Sequence, residues 1–295
     1  MAISVGGEDP GKVEFQRYRP GPPLTQYVAY LWSLRDAPSH STEWIVPSGT
    51  LELVVNLDED AVRIFDPSSA AHRQYSGATV SGAYKRFFVI DTRQHASIVG
   101  VHFRPGGALP FLGVPPGTLA DRHVDLETLW GRSAKLLRER LCAATTSGAR
   151  FALLEQALRK RLTGLHRTHR AVPFALESLA RPGVTVGEVA VTVELSRRRL
   201  IEVFTAEVGM TPKRLSRVLR FQRLRTLMCR AGTADWAQLA TACGYFDQSH
   251  VINDVRELTG MSPSQLLPAG ERVKDLHVVV PEGVKFFQDA AGARE

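Results

Sequence analysis

The sequence predicts an α+β protein of two domains: a β-rich N-terminal domain with flanking helices, then an all-α domain with two helix-turn-helix motifs. Three observations predict this order. The 295 residues suffice for two domains, each with its own core. Short apolar runs separated by Gly, Pro, Asp and Ser fill the chain up to about residue 103. Beyond residue 107 apolar residues recur at helical spacing, and one helical unit occurs twice near the C-terminal end.

The N-terminal domain contains the predicted strands. They are apolar-rich runs at 27–32, 51–57, 62–65, 87–90 and 98–103, with turns at 47–49 and 66–68. Two amphipathic segments follow, 126–142 and 150–162, and both predict helices. The polar, basic stretch 163–170 lacks apolar periodicity. We therefore expect an N-terminal domain at 1–165, a helical domain at 171–268 and a C-terminal tail at 269–295.

The helical domain contains a duplicated unit. The tail of the first copy, GMTP at 209–212, matches GMSP at 260–263 at an offset of 51 residues. Upstream, Val189-Ala190 matches Leu239-Ala240 at an offset of 50, so the second copy has one extra residue in its turn. Two similar helical units in one chain suit a partner that is itself periodic, and duplex DNA is such a partner.

The first copy has the signals of a helix, a turn and a second helix. Thr185 is expected to cap the first helix and Ser196 the second. Gly209 occupies the position of a left-handed C-terminal cap, and Pro212 lies in the first turn of the next helix. The apolar stripe of the second helix is Leu200, Val203, Phe204 and Val208.

The second copy repeats this scheme. Asp235 is expected to cap its first helix, Gly244 to form the turn, and Asp247 to cap a second helix that ends at Gly260. The apolar stripe of that helix is Val251, Val255 and Leu258. Between the copies, residues 212–230 predict one longer helix, which would fix the distance between the two units. Its inward-facing residues are Leu215, Val218, Leu219, Leu224 and Leu227.

The outer face of these helices is basic. Between residues 196 and 230 there are ten Lys and Arg against two acidic residues, whereas the whole chain carries a net charge of only +7. The second helix of the first copy begins with Arg197, Arg198 and Arg199, and the N-terminal residues of a recognition helix contact base edges. Arginine pairs bidentately with guanine or holds a phosphate. A solvated basic face on a helical protein-interaction module is the alternative interpretation.

Residues 171–268 resemble the DNA-binding domain of the AraC/XylS family of bacterial transcription regulators. The matching features are the G-M-[ST]-P tail of each copy and Ala-x-x-x-Gly-Tyr-x-Asp-Gln-Ser-His at 240–250. The resemblance implies seven helices and a sequence-specific transcription regulator. Its two recognition helices would lie in successive major grooves of double-stranded DNA. This chain has Glu202 and Asn253 where the family usually has Arg.

The arginines and the resemblance together give a set of expected contacts. Base contacts are expected from Arg197, Arg198, Arg199, Ile201, Glu202, Gln248, Ser249, His250, Ile252 and Asn253. Phosphate contacts are expected from Ser196, Lys213, Arg214 and Arg217.

The N-terminal half resembles a domain that accompanies a subset of AraC-type regulators. The matching pieces are F-x-R-Y-x-P at 15–20, VPSG at 46–49, G-x-x-FRPGG at 100–107 and LWG at 129–131. The resemblance implies a sensor or dimerisation domain that binds a small-molecule effector, and a small β-barrel is one form that its strands could take. It also implies RNA polymerase as a further partner, with a monomer or a homodimer as the active species.

Composition excludes several other classes of protein. Forty-four per cent hydrophobic and 23% charged residues are typical of a soluble globular chain. No apolar run approaches the roughly 18 residues of a membrane span, so no membrane partner is expected. The first twelve residues include Glu8 and Asp9 and lack the apolar core of a secretory signal. Three scattered cysteines suit a reducing cytoplasm, where we expect the protein to act.

Other motifs give weak signals. Residues 6–13 (GGEDPGKV) nearly match a phosphate-binding loop, but Val13 replaces the magnesium-binding hydroxyl. His95 and His102 lie seven residues apart in predicted strands, so their side chains should lie on opposite faces rather than share a metal. We expect no catalytic residue, cofactor or metal. A DNA-repair or DNA-modifying enzyme that carries the same DNA-binding domain is the second alternative function.

Overall fold

The computed structural model describes residues 3–5, 14–35, 42–65, 72–91, 97–162, 168–231, 236–269 and 277–279. In these ranges the N-terminal half is β-rich and the C-terminal half is helical, as the sequence predicts. None of the described helices combines the length and apolarity that crossing a membrane requires.

The strands form two antiparallel sheets. In spatial order the larger sheet contains β1 (Ile3–Val5), β2 (Glu14–Tyr18), β3 (Val28–Arg35), β10 (Ser97–Phe103), β5 (Glu52–Asn56), β8 (Ala78–Ser81) and β11 (His123–Asp125). The smaller sheet contains β12 (His277–Val279), β4 (Thr42–Ile45), β9 (Phe88–Asp91), β6 (Val62–Phe65) and β7 (His72–Tyr75). Both sheets are open over the described residues, so these strands do not form the barrel that the sequence analysis considered. The predicted turn at 66–68 lies outside the described residues.

The middle of the larger sheet is buried on both faces. Every residue of β10 is buried, and the strand pairs with β3 on one side and β5 on the other. Strands that are covered on both faces carry apolar residues on both faces instead of alternating, which explains why 98–103 is apolar except at His102. All five predicted strands are present, with ends that shift by at most three residues.

Among the described residues, four α-helices accompany the sheets, namely α1 (Leu109–Leu112), α2 (Leu126–Trp130), α3 (Arg132–Ala143) and α4 (Ser147–Arg161). The prediction of one helix over 126–142 is wrong, because the chain breaks between α2 and α3. Gly131 lies at the break with φ 56° and ψ −147°, a conformation that no helix contains. The prediction at 150–162 corresponds to α4, which begins three residues earlier under a cap from the Thr146 side chain.

The C-terminal half contains seven described helices. They are α5 (Ala171–Leu179), α6 (Val186–Thr192), α7 (Arg197–Val208), α8 (Pro212–Ala231), α9 (Trp236–Cys243), α10 (Gln248–Thr259) and α11 (Pro263–Ala269). Thr185 caps α6, and its hydroxyl and Glu188 form a reciprocal capping box. The expected cap Asp235 lies outside the described residues.

The two halves share one continuous cluster of buried apolar residues. On the N-terminal side, Gly49 lies against Leu215 of α8, and the Pro47 carbonyl accepts a hydrogen bond from Gln222 Nε2. The predicted tail also returns to the β-rich half, because β12 pairs with β4 along the edge of the smaller sheet. The helical half therefore rests on the sheets through a packed interface.

Candidate nucleic-acid interface

Helices α6 and α7 form the first helix-turn-helix unit, and α9 and α10 form the second. Their turns have the same backbone conformation at an offset of 50 residues. Glu194 and Gly244 both have positive φ, 56° and 77°. One residue later, the Leu195 and Tyr245 amides donate to carbonyls five residues back, at 3.0 and 2.9 Å. The duplication in the sequence is thus a duplication of turn geometry.

Both recognition helices, α7 and α10, have capped N-terminal ends. The Ser196 hydroxyl accepts from the Arg199 amide at 3.2 Å, and the Asp247 carboxylate accepts from the His250 amide at 2.7 Å. These caps lie at an offset of 51 residues, whereas the turns lie at 50. The extra residue predicted from the repeat is therefore Phe246, between the turn and the cap of the second unit.

The C-terminal ends of both recognition helices pack against the β-rich half. Gly209 and Gly260 end them in the left-handed conformation, with φ 92° and 71°. Gly209 lies beside Leu51 and Ala83. The Phe87 amide donates to the carbonyl of Leu258 at 3.0 Å. The N-terminal ends are the ones left exposed.

The first recognition helix presents its three arginines to solvent, because Arg197, Arg198 and Arg199 are all exposed. Arg198 Nε donates to Glu202 Oε1 at 3.0 Å, and Arg199 Nη1 donates to Glu202 Oε2 at 3.5 Å. The hydrogen bond from Arg198 lowers the pKa of the Glu202 carboxyl. Ile201 is 40% exposed on the same helix. These exposed ion pairs are weak, so a stronger anion can replace the carboxylate.

The second recognition helix presents neutral polar groups. Gln248, Ser249 and Asn253 are exposed, whereas His250 and Ile252 are half-buried. The predicted base-contacting residues therefore lie on the outer surface of α10, with His250 closest to the protein interior.

Contacts with neighbouring side chains orient His250. Arg220 Nη2 lies 3.1 Å from His250 Nε2, and the Tyr245 ring packs edge-on against the imidazole at 5.2 Å. Arg220 also lies over the Tyr245 ring at 4.4 Å, and burial raises the pKa of that tyrosine.

Asp254 is a site residue that the sequence analysis missed. Its side chain is 5% exposed, and its two oxygens accept from Arg217 Nε at 2.6 Å and Arg220 Nη2 at 2.7 Å. Arg217 also donates to Glu257 at 2.6 Å, and the contacts with Glu257 and Asp254 raise the pKa of its guanidinium. This network joins α8 to α10 and so fixes the second recognition helix.

The expected phosphate-contacting residues divide into two groups. Ser196, Lys213 and Arg214 are exposed near the N-terminal ends of α7 and α8. Arg217 is half-buried and binds Asp254 and Glu257. The spacing of these residues gives no signal for this division, since Arg214 and Arg217 are themselves three residues apart on α8.

The N-terminal half holds a polar cluster around His102. The imidazole is buried, stacks on Tyr30 at 4.7 Å, and lies 3.3 Å from Thr50 and 3.4 Å from Glu52. Trp32 Nε1 donates to the same Glu52 oxygen at 2.8 Å. His95 lies outside the described residues. Among the side chains that are described, no three His, Cys, Asp or Glu residues lie together as metal ligands.

Two protein-family models match the chain, one in each half. A family model described as a helix-turn-helix domain matches residues 189–268, and it is of the AraC type. A second model, described as a domain of unknown function (DUF6597), matches residues 16–125. No curated protein matches the chain at a significant level.

The chain is similar to solved structures of ToxT from Vibrio cholerae. An apo variant has 11% identity and a TM-score of 0.45, and the match covers 82% of this chain and 97% of ToxT. Another ToxT crystal structure has 10% identity, a TM-score of 0.43 and coverages of 86% and 97%. ToxT with an unsaturated fatty acid bound has 11% identity, a TM-score of 0.41 and coverages of 77% and 90%.

Proposed function

We propose that this protein is an AraC-type DNA-binding transcription regulator, and that α7 and α10 bind successive major-groove segments on one face of the duplex. The observation that carries the proposal is that both recognition helices have capped, exposed N-terminal ends while α8 joins the two units. At 1.5 Å per residue, the 20 residues of α8 span about 30 Å. One turn of B-DNA is about 34 Å, which suits half-sites about 10 base pairs apart.

The first unit supplies the charged base contacts in this proposal. Arg198 is 91% exposed, and its pair with Glu202 competes poorly with a guanine or a phosphate. Arg197 and Arg199 flank it at the same helix end, and Ile201 offers an apolar contact. The Glu202 carboxylate faces the same surface and would repel a phosphate beside it. Only some positions of α7 along the major groove should therefore be favourable.

The second unit supplies neutral contacts. Gln248 and Asn253 carry amides, the group that pairs bidentately with adenine. Ser249 can donate to or accept from several bases, and Ile252 can contact a thymine methyl group. His250 contributes from its fixed position beside Arg220.

Phosphate contacts orient the domain on the duplex. Ser196, Lys213 and Arg214 are exposed beside the first recognition helix, where the phosphates that flank the groove would lie. Arg217 was expected to join them, but its guanidinium points to Asp254 and Glu257. We assign it the role of holding α10 in place.

We propose a separate role for the rest of the chain. Residues 1–165 would form a sensor or dimerisation domain for a small-molecule effector, residues 171–268 the DNA-binding domain, and 269–295 a tail. The regulator would act in the cytoplasm as a monomer or homodimer, contact RNA polymerase, and carry out no catalysis. The support for this division is the position of the two family matches, one in each half.

The spacing of the half-sites tests the proposal. The site is first selected from a random pool of duplexes with the full-length protein. Five base pairs are then inserted between the two half-sites, which turns the second groove to the opposite face of the duplex. The insertion should remove the contribution of the second unit, since α8 cannot follow the rotation.

The matched control is the same insertion outside the two half-sites, which should leave the affinity unchanged. Unchanged affinity after the internal insertion would mean that only the first unit contacts bases. Binding that neither depends on salt nor selects a sequence would instead favour the protein-interaction module.

A further inference from the structure

The inserted residue of the second unit is the only one in the two turns that has no counterpart in the first. The turn residues make equivalent backbone hydrogen bonds at an offset of 50 up to Tyr245, and the caps correspond at an offset of 51 from Asp247 onward. Phe246 lies between them. The repeat therefore has a phenylalanine added directly before the N-terminal end of α10.

The Phe246 ring is held out in solvent by an ordered turn. It is 92% exposed, the most exposed large apolar side chain among the described residues. The backbone on both sides is fixed: the Tyr245 amide donates to the Ala240 carbonyl at 2.9 Å, and the Phe246 amide donates to His250 Nδ1 at 3.4 Å. Asp247 caps the helix that follows. The ring is thus displayed at a defined place on the surface.

The charge around Phe246 differs from that of the first unit. Residues 244–253 contain no Lys or Arg, whereas the first recognition helix begins with three arginines. Asp247 is the one acidic residue in this stretch, and its carboxylate caps the helix. The second recognition helix therefore begins without the arginines of the first, and Arg220 and Arg223 of α8 donate to the backbone carbonyls of Gly244 and Cys243. Beside the polar groups at this end of α10, Phe246 offers apolar surface for burial.

We propose that Phe246 is a specificity-determining residue of the second unit, and that its ring packs against the C5-methyl group of a thymine at the edge of the second half-site. The inference rests on the proposed function, which places the N-terminal end of α10 in the major groove. The thymine methyl group is the apolar feature that base pairs present in this groove. The deoxyribose is the other apolar surface of DNA within reach, and it carries no sequence information.

The test begins with the selected duplexes. Wild-type protein should enrich a thymine at one position at the edge of the second half-site, and Phe246→Ala should lose that enrichment while retaining the first half-site. Replacing this thymine by deoxyuridine removes only the methyl group, which should weaken wild-type binding about fourfold, from about 0.8 kcal/mol for one buried carbon. Phe246→Ala should bind about tenfold more weakly than wild type on thymine, and equally on both duplexes.

Two variants serve as controls. Leu136→Ala removes another exposed apolar side chain, from α3 in the N-terminal half, and should bind like wild type. Arg198→Ala should weaken binding but keep the discrimination between thymine and deoxyuridine, because Arg198 belongs to the first unit. Phe246→Ala should unfold at the wild-type temperature, since the Phe246 ring makes little contact with the protein.

The other outcomes are distinct. Equal loss for Phe246→Ala on every sequence, with no effect of deoxyuridine on wild type, would place the ring on a deoxyribose and overturn the thymine contact. If Phe246→Ala binds all duplexes with wild-type affinity, the ring does not contact DNA, and a contact with a protein partner becomes the alternative. Failure of wild-type protein to bind any duplex would reject the proposed function itself.

Discussion

Gly260→Ala tests whether the second unit is held against the β-rich half. Gly260 ends α10 with φ 71°, and a Cβ atom there would lie 2.6 Å from Phe87 Cε1 and 2.8 Å from Phe87 Cζ. The Phe87 ring has little room to move, because it is 8% exposed and stacks on Trp44 at 4.3 Å. The alanine methyl group therefore meets a packed surface in addition to an unfavourable backbone conformation.

The expected loss has two parts. A residue other than glycine in the left-handed conformation costs about 1–2 kcal/mol, and overpacking of a filled core costs about 1–3 kcal/mol. Gly260→Ala should therefore lower the free energy of unfolding by about 2–5 kcal/mol. Gly183→Ala is the matched control, since Gly183 has φ 82° and a Cβ atom there meets nothing within 4 Å. The control should show only the backbone part, about 1–2 kcal/mol.

Urea denaturation of the full-length chain measures both variants. A double-mutant cycle with Phe87→Ala isolates the contact, because removal of the ring should reduce the Gly260→Ala penalty to that of Gly183→Ala. Equal losses for Gly260→Ala and Gly183→Ala would refute the reasoning. The reasoning would also be refuted if Gly260→Ala lowers the free energy of unfolding by the same amount in the Phe87→Ala background as in the wild type.

Three further predictions concern binding, packing and pH. Arg198→Ala should weaken binding to the selected site by about 1–3 kcal/mol and relax selectivity at one base pair; an equal loss on single-substituted duplexes would make it a phosphate contact. Asp254→Ala should lower the free energy of unfolding in urea by about 2–4 kcal/mol, less than for a fully buried pair because its arginines are about a quarter exposed; a loss below 1 kcal/mol would contradict the proposed network. Burial lowers the pKa of His123 to about 3, against about 6.5 when unfolded. Between pH 6.5 and 3 the unfolded chain binds a proton at His123 and the folded chain does not. The free energy of unfolding should therefore fall by up to about 1.4 kcal/mol for each pH unit by which the pH is lowered through this range. His123→Gln should remove this part of the slope, and an unaltered slope would show that the imidazole is protonated in the folded state.

Local signals suffice to predict the duplicated units, because caps and apolar stripes act within a few residues. Ser196, Asp247, Gly209 and Gly260 all lie at the helix ends where the sequence places them. A single glycine inside an amphipathic segment gives no such signal. The break at Gly131 is therefore visible only in its backbone angles.

The parts that the sequence could not predict depend on distant partners. The sequence shows the positive charges of Arg217 and Arg220, but it does not show that both pair with Asp254. Asp254 lies more than 30 residues further along the chain. The packing of Phe87 against Gly260 spans about 170 residues and follows no periodic pattern. For the same reason the strand pattern alone could not decide between two open sheets and a barrel.

The contact of Trp44 and Phe87 with Gly260 has a consequence for synthesis of the chain. The ribosome completes the stacked aromatic pair 173 residues before it reaches Gly260. At about 5–20 residues per second, roughly 10–35 s pass before the segment that covers this pair is synthesised. During that interval a nascent N-terminal half exposes an aromatic surface next to β4 and β9, the kind of surface on which incomplete chains associate.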